Sequence, residues 1–329
     1  MAPKRRLQEV ADAAGVSFIT AWRALNEPHR VRDKTREKVL TAAADVGYVV
    51  NAIARSLVTS RSGVVGLIVP TLEDSIFSAT VQGLSDRLSQ SGLEMLMGIS
   101  HYDTGREEEL MRAFVGRQID ALVLTGKAHS PAARKLLKNT GIAVVEIWDV
   151  PEEPLDLYVG FSNSDLSFQA TKYLISRGYR DIAFVSPEAR GRAQERQNGY
   201  VNAMETAGLG AAARTLWVAP TLAGGAEALV QLWQSDRRPD AIFFNGDTLA
   251  VGAHLHGATL GLRYPDDLAL MGLHDSDISA RVNPPLSTVR VPRYEIGKLA
   301  AEEIVQRLQT EGGGQSRQVA FEILQRGTT

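Results

Sequence analysis

The chain has 329 residues, with 36 Lys and Arg against 38 Asp and Glu, six His, no Cys and 44% hydrophobic residues. Its length suggests two or three domains with full cores, and the absence of cysteine excludes disulfides, thiolate metal sites and a cysteine nucleophile. No apolar run reaches the roughly 18 residues of a spanning helix, and the start, Met1 to Arg6, leads into no apolar signal core, so a cytoplasmic protein is expected.

The net charge of −2 is unevenly divided. Residues 1–62 hold 11 Lys and Arg and 6 Asp and Glu, whereas the other 267 residues hold 25 and 32, so a head of +5 is joined to a body of −7. A basic end on an acidic body is the pattern of a chain that meets phosphates at one end. From Leu7, the apolar positions Leu7, Val10 and Ala14 predict a short helix ending at Gly15. Ser17 can cap a second helix that continues through Thr20, Ala21, Ala24 and Leu25 to Asn26. Helix, glycine turn and helix within about twenty residues fit either an ordinary helical hairpin or a helix-turn-helix. A third amphipathic stretch, 31–47, with Val39, Leu40, Ala43 and Val46 as its core face, completes a three-helix unit.

Leu7, Gln8, Glu9, Val10, Ala11, then Ala14, Gly15, Val16 and Ser17, with Thr20, Arg23, Ala24, Leu25, Asn26, Thr35 and Arg36, and finally Gly47, Tyr48 and Asn51 to Leu57, resemble the DNA-binding head of the LacI family of transcription regulators. The resemblance implies that 17–26 is the recognition helix in the major groove, with Phe18, Ile19 and Arg23 at base-reading positions. It implies phosphate-positioning roles for Thr20, Asn26 and Thr35, with Ser17 also among the DNA-binding residues. The guanidinium of Arg23 can pair bidentately with a guanine edge, whereas Phe18 and Ile19 offer only apolar contact such as to a thymine methyl. Trp22 stands where the family usually has a small serine; it either packs in the core, as large aromatics mostly do, or lies against the DNA backbone. Val50 replaces the common proline before Asn51.

Residues 51–59 are too few to be helical alone. By resemblance they form a hinge helix with its partner copy in the minor groove, where Asn51 and Arg55 contact DNA, Leu57 is the wedge and Ala54 permits close approach. The polar stretch 59–63 closes this segment.

Beyond Gly63, apolar strands alternate with helices. Strands are expected at 64–69, 93–99, 121–125, 143–148, 182–186, 216–218, 241–245 and 268–273, and helices at 75–91, 107–117, 131–139, 165–176, 193–207, 226–234 and 249–260. Such alternation predicts parallel sheets covered on both faces, in two halves with a ligand cleft between them. The same family implies a periplasmic-binding-protein-like core for this body. The expected fold is a small all-α helix-turn-helix head plus an α/β, two-lobed effector core of two parallel doubly wound sheets. The expected boundaries are 1–50 for the head, 51–62 for hinge and linker, 63–160 with 290–329 for the first half of the core, and 161–289 for the second. With no leucine heptads beyond the tail region at 311–314, a homodimer is expected.

Within the family, Leu124, Thr125, His129, Ser130 and Pro131, the run Gly141 to Glu146, Val159 to Phe161, and above all Gly272, Leu273 and His274 followed by Asp275 resemble the gluconate-operon repressor subgroup. Most sugar and nucleoside regulators of the family carry aspartate at the position of His274. A histidine there can donate to a carboxylate or bridge hydroxyls, and as imidazolium it would add charge. The expected effector is therefore a sugar acid, gripped by Arg196, which resembles the family's ligand-binding arginine, with Arg190, Arg192, Lys127 and His274. Arg190 and Arg192 fit equally a solvated loop. Thr125, Asp149, Asn245 and Asp247 would meet hydroxyls, and Phe77, Trp148 and Phe161 would offer apolar faces. Asp247 could instead cap the helix that follows it.

Catalysis is not expected. His254 and His256 are two apart on a helix and cannot face one metal, His101 and His129 have no acidic pair nearby in sequence, and no Gly-x-Ser-x-Gly elbow is present. No cofactor, metal or membrane is expected, and operator DNA is the expected macromolecular partner. Rival expectations are a regulator taking a neutral sugar or acting as a co-repressor, and a sugar-binding protein of a transport system.

Overall fold

The structure is a computed structural model that describes residues 7–27, 30–49, 61–72, 75–188, 191–310 and 312–329. It divides into two compact units, Met1–Gly63 and Val64–Thr329. In the first, three helices, α1 (Leu7–Ala14), α2 (Phe18–Asn26) and α3 (Asp33–Asp45), surround a small core of Val10, Ala11, Ala14, Ala21, Ala24, Val39, Ala42 and Ala43. Gly15 makes the turn with φ of 59°, a conformation that favours glycine, and Ser17 caps α2 by accepting from the Thr20 N–H at 3.2 Å. Two expectations change here. Leu40 is 44% exposed, because the buried stripe of α3 runs through 39, 42 and 43 at helical spacing and turns position 40 outward. Trp22 is half-buried and lies outside the apolar cluster of the head, so it is not the core aromatic favoured above.

In the second unit the first lobe is built from β1 (Val64–Val69), a short 3-10 turn (Ser75–Phe77), α4 (Ser78–Ser89), β2 (Glu94–Ile99), α5 (Thr104–Val115), β3 (Ala121–Thr125), α6 (Pro131–Thr140), β4 (Ala143–Ile147) and β5 (Leu157–Gly160). The second lobe follows with α7 (Asn163–Ser176), β6 (Ile182–Ser186), α8 (Arg192–Thr206), β7 (Arg214–Trp217), α9 (Leu222–Trp233), β8 (Ala241–Phe244), α10 (Asp247–Thr259), β9 (Ala269–Leu273) and β10 (Ser287–Arg290). The chain then returns through α11 (Arg293–Gln309) and β11 (Arg317–Gln318) to the first lobe, and ends on β12 (Glu322–Leu324) in the second. The sheet orders are β11-β5-β4-β3-β1-β2 and β12-β10-β9-β8-β6-β7.

Both sheets are parallel except where β12 runs antiparallel to β10, which departs from the wholly parallel expectation. The tail departs from its expected place as well. Residues 290–329 are not confined to the first lobe, since β12 and the buried Thr328, whose hydroxyl donates to Leu270 O and accepts from Ser287 N–H, belong to the second. The strands β5, β10, β11 and β12 were not anticipated. They have two to four residues each and carry too few positions to show a period.

Helix starts move for a local reason. Helix α5 begins before 107 because Asp103 accepts from the Gly105 and Arg106 N–H groups, and α9 begins before 226 because Thr221 accepts from Gly224 N–H. Packing of α11 on α4 requires backbone contact. A Cβ on Gly83 would collide with Tyr294 O, and one on Gly297 with Thr80 O, so glycines let these two helices dock closely.

Candidate functional site

Helix α2 presents an unusual surface. Phe18 is 48% and Ile19 60% exposed, and Arg23 is exposed beside them, while Ala21 and Ala24 face the core. Large apolar side chains held outward next to a cation, on a helix opened by a serine cap, form a face suited to a DNA groove. Ser17 Oγ and Thr20 Oγ1 are 2.8 Å apart, and the Asn26 amide donates to Trp22 O at 2.9 Å, bracing the helix's two ends. Thr35 is half-buried near the start of α3. Asn51, Ala54, Arg55 and Leu57, with Val50, lie outside the described residues.

In the core, the carboxyl ends of the parallel strands carry the polar residues, as open α/β sheets place their ligands. Trp148 leaves β4 with φ of 74°, and His274 and Asp275 leave β9 with φ of 102° and 52°. Left-handed backbone at a non-glycine residue is uncommon and concentrates at functional sites. It ends β4 at Ile147, one residue short of the expected strand, and brings the rings of Trp148 and His274 to 5.8 Å. Phe77 and Phe161 pack on the same indole at 5.2 and 6.0 Å, and all three aromatics are buried.

A connected polar chain crosses from one lobe to the other. Ser186 Oγ accepts from the Asn245 amide at 2.7 Å, and Asn245 Oδ1 accepts from Arg196 Nη1 at 2.7 Å. Arg196 Nε donates to Asn163 Oδ1 at 2.8 Å, and the Asn163 amide donates to Asp149 Oδ1 at 2.7 Å and to Trp148 O at 3.1 Å. Asp149 Oδ2 lies 3.6 Å from Arg192 Nη1, whose guanidinium stands 5.5 Å from the Phe77 ring centroid. At the rim, Lys127 Nζ donates to Glu195 Oε1 at 2.7 Å. Thr125 is turned back on its own sheet, donating to Ile68 O at 3.0 Å.

Burial sets the electrostatics. It pulls the Arg196 pKa down to about 9, assisted by the neighbouring Arg192 charge and opposed by Asp149, so the guanidinium remains charged at pH 7. It raises Asp149 to about 6 against the pull of Arg192. Burial also opposes the charge of Lys127, but the hydrogen bond and charge of Glu195 keep its pKa above the ordinary lysine value. His274 is held well below its usual range, first by burial and then by Arg196, Arg293 and Arg192. His274 is therefore neutral and is not the extra cation considered above. Among the described residues, neither of its ring nitrogens has a hydrogen-bond partner.

Asp247 commits its carboxylate to the protein's own groups instead of an effector, and it is not a cap. Its carboxylate accepts from Ser276 N–H at 2.5 Å and Thr288 Oγ1 at 2.7 Å, which fastens the turn that carries His274, and burial lifts it to about 6. Helix α10 is capped from Gly246, so Asp247 already sits inside it. Arg190 lies outside the described residues. The residues that sequence reasoning passed over are Asn163, Ser186 and Glu195. Asn163 looks like an ordinary helix-start residue, and only the folded chain places it between Arg196 and Asp149.

The loop that carries Lys127 has its own anchor. His129, without an acidic neighbour in sequence, sits between Glu107 of α5, where Nδ1 donates to Oε1 at 2.7 Å, and Glu146 of β4, 3.4 Å from Nε2. Burial opposes its charge, but the Glu107 hydrogen bond and the Glu146 charge outweigh that and lift the pKa from 6.5 to about 9. A raised folded-state pKa stabilises the core fully below pH 6.5, and the benefit fades as pH rises through about 9. Thermal unfolding should therefore lose on the order of 3 kcal/mol across that window. A His129→Gln variant should be less stable at pH 6.5 and should lack this slope. An unchanged slope would mean that His129 is not the titrating group.

A helix-turn-helix head and a two-lobed α/β core with a polar cleft together define an effector-responsive DNA-binding regulator. Residues 6–51 match the family described as "Bacterial regulatory proteins, lacI family", and residues 171–329 match "Periplasmic binding protein-like domain". The chain is 32% identical over 305 residues to the HTH-type transcriptional regulator GntR of Escherichia coli strain K12, covering 93% of this chain and 92% of that protein. It is 34% identical over 326 residues to the HTH-type transcriptional regulator GntR of Pseudomonas aeruginosa, covering 98% and 95%. A LacI-family transcriptional regulator from Silicibacter pomeroyi has the same fold, with a TM-score of 0.91, 29% identity and coverage of 98% and 99%. The chain belongs to the LacI family of bacterial regulatory proteins and is a DNA-binding transcriptional regulator.

Proposed function

We propose that this regulator is a repressor released from its operator by a sugar acid, with gluconate or a close relative as effector. The observation that carries this reading is His274, buried with both ring nitrogens unpartnered beside a cleft where Lys127, Arg192 and Arg196 outnumber Asp149 and Glu195. A neutral imidazole can donate to one effector oxygen and accept from a hydroxyl, and the surplus cation matches a single carboxylate. Arg196 grips that carboxylate with help from Arg192 and Lys127, Asn245 takes a hydroxyl, and Phe77, Trp148 and Phe161 wall the carbon chain. Asp247 positions His274 through the turn at 276.

On the DNA side, Phe18, Ile19 and Arg23 read bases, Ser17, Thr20, Asn26 and Thr35 position the helix, and residues 51–62 act as the hinge of a cytoplasmic homodimer. The effector acts through its differential affinity for two arrangements of the core, closing the cleft and disfavouring the paired hinges. The reading assigns no catalytic step and no cofactor.

Calorimetry with gluconate, 2-ketogluconate and their neutral sugar counterparts tests the effector class. The acids should bind about tenfold or more tightly, the contribution of one charge-assisted pair. Preference for a neutral sugar would sink the reading.

A further inference from the structure

The effector reading leaves one contact in the cleft unexplained. Lys127 stands on the loop after β3 in the first lobe, and Glu195 in the first turn of α8 in the second, so their 2.7 Å ion pair bridges the cleft. Arg192 and Asp149 make a second bridge between the lobes at 3.6 Å. Each of these cations already holds a carboxylate of the protein, so an anionic ligand must compete with that carboxylate for its charge.

The two bridges differ in what exchange costs. The Asp149 side chain is 3% exposed, and taking Arg192 from it would leave a buried, unpaired carboxylate, the expensive case. The Glu195 side chain is 28% exposed and Lys127 33%, so Glu195 can turn into water when it releases the ammonium. It also remains in the first turn of α8, where the helix dipole favours a negative charge.

We propose that Glu195 is a specificity-determining residue that stands in for the effector carboxylate, holding Lys127 across the cleft until an incoming anion takes its place. This rests on the sugar-acid reading for the identity of the anion. The exchange works as a competition for the Lys127 ammonium. A carboxylate restores to Lys127 what it loses when Glu195 leaves, whereas a neutral polyol offers only hydroxyl contacts and leaves the pair shut. Glu195 therefore lowers affinity for every anion by the strength of its own pair and leaves the affinity for a neutral polyol nearly unchanged.

The test is calorimetry on the full chain with gluconate and with sorbitol, its uncharged counterpart, for the wild type, Glu195→Gln and the double variant Lys127→Met with Glu195→Gln. Glutamine keeps the length of the side chain and removes the competing charge. The expected result is a rise of about fivefold in the gluconate-to-sorbitol affinity ratio for Glu195→Gln, the upper range for a partly exposed pair. That rise should be absent from the double variant.

A clamp that merely holds the lobes together would change both affinities alike, and an unchanged or lower ratio overturns the proposal. So does a rise that survives loss of Lys127. Where wild-type binding lies below detection, gluconate binding gained by Glu195→Gln supports the exchange, and its continued absence overturns it. The wild-type ratio by itself judges the sugar-acid reading. A wild type that prefers sorbitol would end that reading while the change produced by Glu195→Gln still decides the role of Glu195.

Discussion

Replacing Arg196 by methionine should abolish the response to effector while leaving operator binding in place. The guanidinium is buried, joined to Asn163 and Asn245 through Nε and Nη1, and has Asp149 only at one remove, through Asn163. Burial already pulls its pKa down to about 9, the mark of a cation whose charge is incompletely compensated. An entering carboxylate relieves that condition, so its binding energy is concentrated there. Truncating one partner of such a desolvated pair costs about 2–5 kcal/mol, or roughly 30- to 5000-fold in effector affinity.

Methionine keeps much of the side-chain volume but leaves Asn163 Oδ1 and Asn245 Oδ1 without their donors, which should also lower core stability by about 1–3 kcal/mol for each group. Head and core are separate compact units, so the variant should still bind operator DNA and should fail to release it when gluconate is added. Fluorescence anisotropy of a labelled operator reads both properties in one titration. Normal release would remove Arg196 from the effector site.

The second large effect is the loss of all operator affinity when residues 1–62 are deleted. Those residues carry +5, whereas the remainder carries −7 and would repel DNA. Besides Arg23, the described part of the head exposes Arg30, Arg32, Lys34, Arg36 and Lys38. A full-length dimer making 6–10 phosphate contacts should lose about 10³- to 10⁵-fold in affinity between 50 and 200 mM salt. The deleted chain should show neither binding nor salt dependence. Retained binding by residues 63–329 would overturn the assignment of the head. Arg23→Ala in the full chain should be milder, costing about 1–3 kcal/mol on the preferred operator and less on unrelated DNA.

The head was largely legible in the sequence because its signals are local. A glycine turn, a serine cap and helical spacing depend on neighbours within four residues, and Ser17 and Gly15 act as their types predict. Leu40 shows the limit. One position of helical phase separates a buried stripe from an exposed one, and Ala42, beside the expected Ala43, took the place assigned to it. In the core, the long apolar strands were legible because burial on both faces makes them continuous hydrophobic runs. The short strands β10, β11 and β12 were not, because their place depends on which sheet edge the returning chain meets.

What the sequence by itself determined is the division into a basic helical head and an acidic two-lobed core, together with Arg196, Asn245, Trp148 and His274 as residues at strand ends or helix starts. Only the tertiary structure decided their states and partners. His274 has no charge because it is buried away from water and, secondly, faces the charges of three arginines, and Asp247 faces Ser276 and Thr288 instead of the cleft. Glu195 and Lys127, 68 positions apart, meet because two sheets place the ends of their strands at one cleft. Charge and hydrogen bonding act through distances of a few ångströms, and for residues so far apart in the chain those distances exist only after both lobes have folded.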